Sequence, residues 1–185
     1  RAHNAVADEI SRRAITLLRD DPAIVPLRLP AKANVLFVSA LDTAGNWGVA
    51  APGRALLADL RARDLRVTAV ELSDRTTPGE HDLLRASAGR YDAIIVGVFV
   101  RVASGTGRID LPPAVTTTLT RLAATAKSSS TPMATVLFGS PYAAIGLPSL
   151  PTMLLTYDLY DRAERSAAGA LLGDTPIGGR LPVLL

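Results

Sequence analysis

The sequence contains no cysteine among its 185 residues. This absence excludes disulfide bonds, thiol nucleophiles and zinc or iron–sulfur sites built on cysteine. Aromatic residues make up only 4% of the chain, and no apolar run approaches the roughly 18 residues that a membrane-spanning helix needs. The composition therefore predicts neither a thiol-based centre nor a segment inserted in a membrane.

Positive charge is spread along the chain rather than gathered in blocks. The formal net charge of +3 comes mostly from arginines that stand one or two at a time, without interleaved aromatic residues. Nucleic-acid recognition usually requires clustered positive charge and often stacking rings, so we expect no nucleic-acid partner. No methionine precedes Arg1, which leads directly into a predicted helix, and we expect these residues to be a segment of a longer chain.

Two short apolar runs near the end of the chain are each closed by turn residues. Met133–Phe138 and Thr152–Thr156 lack the apolar and polar alternation of a half-exposed strand. Both runs therefore predict strands that are covered on both faces, as in a parallel sheet between two layers of helices.

Strands and helices alternate along the whole sequence at short spacing. The other predicted strands are Asn34–Ala40, Leu65–Leu72, Asp92–Val100 and Leu181–Leu185. The predicted helices are Ala2–Arg19, Pro52–Arg63, Gly79–Gly89, Pro113–Lys127 and Asp161–Leu172. This alternation predicts right-handed βαβ units and one three-layer α/β/α sandwich, with a flavodoxin-like, doubly wound and mostly parallel sheet. Residues 1–185 form a single predicted domain, of which 1–20 are a leading amphipathic helix with Val6, Ile10 and Leu17 on its apolar side.

Several segments of the chain also resemble one known family in the same order. The matching segments are Ala5–Leu18, Val25–Leu27, Tyr91–Gly97, Gly139–Tyr142, Pro148–Pro151, Thr156–Asp158 and the closing Gly178–Val183 with its G-x-L-P-V pattern. Together they resemble the C-terminal domain of glycoside hydrolase family 3, the family of β-glucosidases and β-N-acetylhexosaminidases. The resemblance covers nearly the whole chain, and its motifs are structural ones.

The resemblance implies an accessory domain of a bacterial-type retaining β-glycosidase that hydrolyses terminal β-linked sugars. Such hydrolysis needs two carboxyl groups, and the family's nucleophile lies in an N-terminal (β/α)8 barrel that is absent from this sequence. In the β-glucosidase branch this domain supplies the acid/base glutamate near the end of its third strand. The comparable loop here, Val100–Leu111, holds Arg101, Arg108 and Asp110 but no glutamate. This departure favours the β-N-acetylhexosaminidase branch, in which a His-Asp pair of the barrel is the acid/base.

The expected site residues lie in loops beyond the carboxyl ends of the strands, where sheets of this type bind ligands. We expect no catalytic residue, metal or cofactor in this segment. Asp42, Asn46, Arg101 and Arg108 are the candidates for contact with the barrel of the same protein or with a carbohydrate substrate at the domain interface.

The loop Asp42–Gly48 keeps a second class of function open, a non-catalytic module that binds a small anion, a nucleotide or a flavin. Its glycine, threonine and asparagine residues after the first strand are similar to the phosphate cradle of flavodoxins, and a following helix start can hold an anion. The loop lacks the lysine of a P-loop and the full G-x-G-x-x-G spacing, and only Trp47 and Tyr142 are placed to shield a flavin. A third alternative is a scaffold within a parent protein that has lost its activity.

Histidine and serine residues give no sign of a hydrolytic or metal site of another kind. His3 and His81 lie in predicted surface segments without the spacing of metal ligands. The segment around Ser140 does not match the G-x-S-x-G pattern of serine hydrolases. We therefore predict neither a serine hydrolase nor a metal site.

Overall fold

The computed structural model of the chain describes residues 2–43, 47, 51–101 and 109–185. The helices are α1 (Ala2–Ala14), α2 (Arg54–Arg61), α3 (Pro78–Ser87), α4 (Pro113–Ser128) and α5 (Asp161–Leu172). The strands are β1 (Thr16–Asp20), β2 (Asn34–Leu41), β3 (Arg66–Leu72), β4 (Ala93–Val100), β5 (Met133–Gly139) and β6 (Thr152–Leu155). In the described part of the chain, short 3-10 helices include Ala88–Arg90 and Pro141–Gly146.

The strands form one six-stranded sheet in the order β1-β6-β5-β4-β2-β3. Strands β2 to β6 pair in parallel, and β1 pairs with β6 in the antiparallel sense. Counted from β2, the parallel strands follow the order 2-1-3-4-5, which is that of flavodoxin-like folds. The predicted mostly parallel, doubly wound sheet is confirmed.

Helices cover both faces of this sheet, which explains why its central strands are apolar throughout. One buried cluster joins the sheet to α3 and α4, and a second joins the opposite face to α2 and α5. Along β4, Ile94 and Val96 belong to the first cluster, whereas Ile95 and Phe99 belong to the second. The predicted three-layer α/β/α sandwich is therefore confirmed. None of the helices described in residues 2–43, 51–101 and 109–185 is long and apolar enough to cross a membrane.

The leading helix is shorter than the predicted Ala2–Arg19. It ends at Ala14, and Thr16–Asp20 forms the antiparallel edge strand β1. Leu17 and its neighbours fit a helical pattern as well as a strand pattern, and the choice is made by pairing with β6 at the other end of the chain, where Thr16 lies opposite Leu155. The helix prediction is wrong for the last residues of segment 1–20.

The apolar side of α1 does not face the core either. Val6 and Ile10 remain 59% and 64% exposed. The helix contacts α5 through polar groups instead, and Arg162 Nε donates to Asp8 Oδ1 at 2.6 Å. The apolar side predicted for the helix is therefore exposed at Val6 and Ile10 in the described chain.

The predicted last strand, residues 181–185, does not form in the described chain. The Gly179 N–H donates to the carbonyl of Ile15 at 2.9 Å, but no strand pairing follows. Pro182 lacks the N–H that a ladder would require, and Leu184 is 95% exposed. This segment runs past the junction of α1 and β1 as irregular chain.

Candidate functional site

The chain places β3 on one side of β2 and β4 on the other, so the strand order reverses between β2 and β4. Sheets of this type bind ligands at such a reversal. A crevice forms outside the carboxyl ends of the two strands at such a switch point. Asp42 directly follows β2, and Arg101 directly follows β4, while Leu41 and Phe99 are partners in the register of these strands. The structure therefore places both candidates at one edge, with Asp42 half-buried and Arg101 exposed. Asn46 and Arg108 lie outside the described residues.

The start of the loop after β2 is tied to the loop after β3. The hydroxyl of Thr43 lies 2.7 Å and 2.8 Å from the two carboxylate oxygens of Asp74, and the Thr43 N–H donates to Oδ1 at 3.1 Å. The hydroxyl hydrogen bond from Thr43 is the main reason why the pKa of Asp74 is lowered. The ionised form of Asp74 thus holds Thr43 at the start of this loop.

Trp47 anchors the same loop on the buried aromatic residues of the sheet. Its indole Nε1 donates to the carbonyl of Asp42 at 2.8 Å. The ring meets Phe99 edge-on, with centroids 6.4 Å apart and planes at 81°, an arrangement that aromatic pairs prefer. Trp47 is the single tryptophan of the sequence, and it lies at the carboxyl edge beside Asp42.

Where this loop enters α2, a buried glutamate from α5 binds the N-terminus of the helix. The sequence patterns did not predict this contact. Glu164 of α5 is only 2% exposed. Its Oε1 accepts from the Gly53 N–H at 2.9 Å, and its Oε2 accepts from the N–H groups of Ala55 and Leu56 at 2.7 Å and 2.9 Å. Since a helix N-terminus favours negative charge, this carboxylate occupies the place that an external anion would take.

Backbone geometry at Gly53 makes this contact possible. Gly53 has a φ of 84°, and a Cβ there would lie 2.5 Å from Ser39 Oγ and 2.8 Å from Phe37 Cζ. The residue must therefore be glycine. A sequence signal for the partner did exist, because Glu164 lies three residues before Ala167 on the buried face of α5, where a charged residue requires a polar partner.

Four exposed apolar side chains lie in the segments that follow β4, β5 and β6. This apolar rim consists of Ile109, Tyr142, Ile145 and Tyr160, which are 41%, 43%, 62% and 69% exposed. The rim follows the strand ends directly, since Tyr142 and Ile145 belong to the 3-10 helix after β5 and Tyr160 precedes α5. Large exposed apolar side chains that follow neighbouring strand ends make this edge a candidate interaction surface.

All four glutamates lie in helices or in a strand rather than in the loops at the carboxyl edge, and Glu164 is enclosed. The pKa of Glu9 is lowered by Arg12 and Arg13, and that of Glu80 by hydrogen bonds from Thr77. These shifts oppose the raised pKa that a general acid needs near neutral pH. Glu71 lies in the edge strand β3. No group of three histidine, aspartate or glutamate residues among those described could hold a metal ion.

Comparisons with known proteins give structural relatives but no sequence relatives. No protein-family model matches the chain, and no curated protein matches it. Over 100% of its length the chain superposes with a TM-score of 0.77 and 19% identity on 19% of a fungal multi-domain family 3 β-N-acetylglucosaminidase.

Two bacterial enzymes share the fold in the same way. A family 3 β-N-acetylglucosaminidase from Paenibacillus sp. strain FPU-7 gives a TM-score of 0.71 at 21% identity, over 96% of this chain and 32% of that one. A β-glucosidase from Listeria innocua gives 0.66 at 20% identity, over 92% and 25%. The chain thus spans between a fifth and a third of these solved structures, and at such identities the likeness establishes the fold.

Proposed function

We propose that this chain is the C-terminal domain of a family 3 β-glycosidase, where it supports a catalytic barrel and carries no catalytic residue itself. The observation behind this proposal is the match of nearly the whole chain to a part of much longer glycosidases. The sequence segments that resemble the family support the same assignment independently, because they follow the same order along the chain.

The proposed specificity is for terminal β-linked N-acetylhexosamines. The fold does not choose between substrates, since a β-N-acetylglucosaminidase and a β-glucosidase both share it. The choice rests on the segment 100–111, which contains no glutamate, and on the location of all four glutamates outside the loops at the switch point. An acid/base group must then come from another part of the protein.

The proposed contact surface for the barrel is the carboxyl edge of the sheet. The apolar rim supplies buried contact area there, and Asp42, Asn46, Arg101 and Arg108 would lie beside the substrate at the domain interface. The rim resembles the apolar centre of a domain interface, and the charged loops resemble its polar border. The alternative of an anion- or flavin-binding module has less support, because Glu164 already accepts the N–H groups at the start of α2.

Hydrolysis of paired chromogenic substrates tests this function. The full-length protein and the present chain are assayed in parallel with a β-N-acetylglucosaminide and a β-glucoside. We expect turnover by the full-length protein alone, with preference for the β-N-acetylglucosaminide. Turnover by these 185 residues in isolation would overturn the non-catalytic assignment, and preference for the glucoside would overturn the proposed specificity.

Substitutions in the full-length protein test the contact surface. Tyr142→Ser combined with Ile145→Ser should reduce kcat/KM and expose the domain boundary to limited proteolysis, because both side chains would be buried against the barrel. Leu83→Ser is the matched control, since Leu83 is 69% exposed on α3. Equal behaviour of the rim variant and the control would show that the rim does not face the barrel.

The candidate residues of the substrate border need a separate test. Alanine substitutions of Asp42, Asn46, Arg101 and Arg108 in the full-length protein should raise KM, because these side chains would contact the bound sugar or the barrel loops around it. Unchanged kcat and KM in all four variants would remove them from the site.

A further inference from the structure

The N-terminus of α2 is held by a carboxylate from another helix rather than by a cap from its own sequence. The N-cap residue is Gly53, which has no side chain that could cap the helix. The first N–H groups of a helix have no partner within the helix, and a carboxylate that accepts them forms charge-assisted hydrogen bonds. Glu164 makes three such bonds from a position that is 2% exposed. This contact therefore joins α5 to the point at which the loop 42–52 enters α2.

The same point is fixed from the sheet. Ser39 Oγ of β2 donates to the carbonyl of Pro52 at 3.3 Å, and the close approach at Gly53 leaves no space for movement toward Phe37. Trp47 donates to the carbonyl of Asp42 at the start of the same loop, and its ring packs against Phe99 of β4. We propose that Glu164 is a positioning residue that fixes the entry into α2 at Gly53 and thereby the placement of Trp47 at the switch point.

A neighbouring ion pair also joins α2 and α5, and it allows the stabilising effect of the buried Glu164 contact to be compared with that of an exposed one. Arg54 Nη2 of α2 donates to Asp161 Oδ2 of α5 at 2.5 Å, but both side chains are exposed, at 60% and 35%. Exposed pairs contribute little to stability. The buried carboxylate is different, because its removal leaves three N–H groups at the helix start without an acceptor. Asp161→Asn is therefore a matched control for Glu164→Gln, on the same helix and against the same partner helix.

Trp47 reports on the loop directly, because no other tryptophan contributes to the fluorescence. Acrylamide quenching is measured on the wild type, Glu164→Gln, Asp161→Asn and Leu119→Ala under conditions in which each is folded. Leu119 is fully buried against the opposite face of the sheet, so its variant controls for a general loss of stability. The quenching constant should rise roughly twofold in Glu164→Gln alone, since local release exposes a half-buried indole. Equal quenching in Glu164→Gln and Asp161→Asn would overturn the proposal.

If Glu164→Gln does not fold, the positioning role of Glu164 is tested by chemical rescue of Glu164→Ala and by hydrogen exchange of the wild type. Formate added to Glu164→Ala should restore the wild-type quenching more than chloride at equal ionic strength, because a free carboxylate can reach the same N–H groups. In the wild type, the amides of Ala55 and Leu56 should exchange as slowly as the core amides of α5. Exchange at the rate of an uncapped first turn, or a formate effect no larger than that of chloride, would contradict the proposal.

A consequence for catalysis rests on the proposed function. In the full-length enzyme, Glu164→Gln should raise KM several-fold more than it lowers kcat, whereas Asp161→Asn should change neither. If Trp47 quenching changes while KM does not, the positioning role stands and the loop does not line the substrate site. If neither changes, Glu164 has no positioning role.

Discussion

Phe99 and Phe138 lie side by side in the register of β4 and β5, and their rings stack with centroids 4.4 Å apart and planes 2° apart. Both side chains are fully buried. Gly97 provides the space for this pair, because a Cβ at that position would lie 2.7 Å from Phe99 Cε2. Trp47 packs perpendicular to Phe99, so the packing of the pair supports Trp47 at the switch point.

We expect Gly97→Ala to lower the free energy of unfolding by about 1–3 kcal/mol, because the added methyl group must displace a buried ring. Urea unfolding followed by circular dichroism measures the change. Gly79→Ala is the control, since nothing lies within 4 Å of a Cβ at Gly79. That variant should be neutral or more stable by up to about 1 kcal/mol. Equal loss of stability in both variants would show that the stacked rings of Phe99 and Phe138 do not require glycine at position 97.

The carboxylate of Asp20 joins the end of β1 to two other segments. It accepts hydrogen bonds from the N–H groups of Ile24 and Val25 and from the hydroxyl of Thr152, each at 3.0 Å. Thr152 is fully buried. Asp20→Ala should therefore lower the free energy of unfolding by about 1–3 kcal/mol, the cost of leaving buried polar groups without partners.

The adjacent Asp21 gives the comparison for this prediction. Its side chain is exposed. Its backbone N–H donates to the carbonyl of Pro151, and an alanine at this position keeps that N–H. Asp21→Ala should change the free energy of unfolding by no more than about 0.5 kcal/mol. A thermal or urea midpoint that falls equally in the two variants would argue against the special role of Asp20.

Local sequence patterns predicted the parallel part of the sheet well. The continuous apolar runs of β4 and β5 cannot stand in water on either face, so they indicate a sheet covered on both sides. The predicted helix Asp161–Leu172 coincides with α5, because its alanines repeat on one face and Gly173 ends it with a φ of 84°. In each of these elements, the spacing of apolar residues in the sequence matches the faces that are buried in the fold.

The missed features depend on residues that are distant in the chain. Thr16 became a strand residue because its partner Leu155 is available at the sheet edge, and no local pattern contains that partner. Glu164 lies within the predicted helix Asp161–Leu172, but the N–H groups it binds belong to Gly53 and the first turn of α2, which are more than 100 residues earlier in the chain. The candidate residues Asp42 and Arg101 were placed at one edge correctly, because parallel strands bring their carboxyl ends together.

The hydrogen bonds between Thr43 and Asp74 predict a dependence on pH at the carboxyl edge. These bonds lower the pKa of Asp74 below its ordinary value of 3.8. A carboxyl whose pKa is lower in the folded state stabilises that state above its unfolded pKa, and this contribution is lost as the pH falls through the folded value. The link between Thr43 and Asp74 should therefore persist at neutral pH and weaken below pH 3.8.

Thr43→Val tests this relationship, because it removes the hydroxyl and keeps the shape of the side chain. The pKa of Asp74, followed by carbon NMR of its carboxyl group, should lie below 3.8 in the wild type and return toward 3.8 in the variant. The stability difference between the two proteins should be constant above about pH 5 and shrink as the carboxyl becomes protonated. Asp74→Asn should show no such acid-dependent change at this contact. An Asp74 pKa that is equal in wild type and Thr43→Val would mean that the hydroxyl of Thr43 does not stabilise the ionised carboxylate.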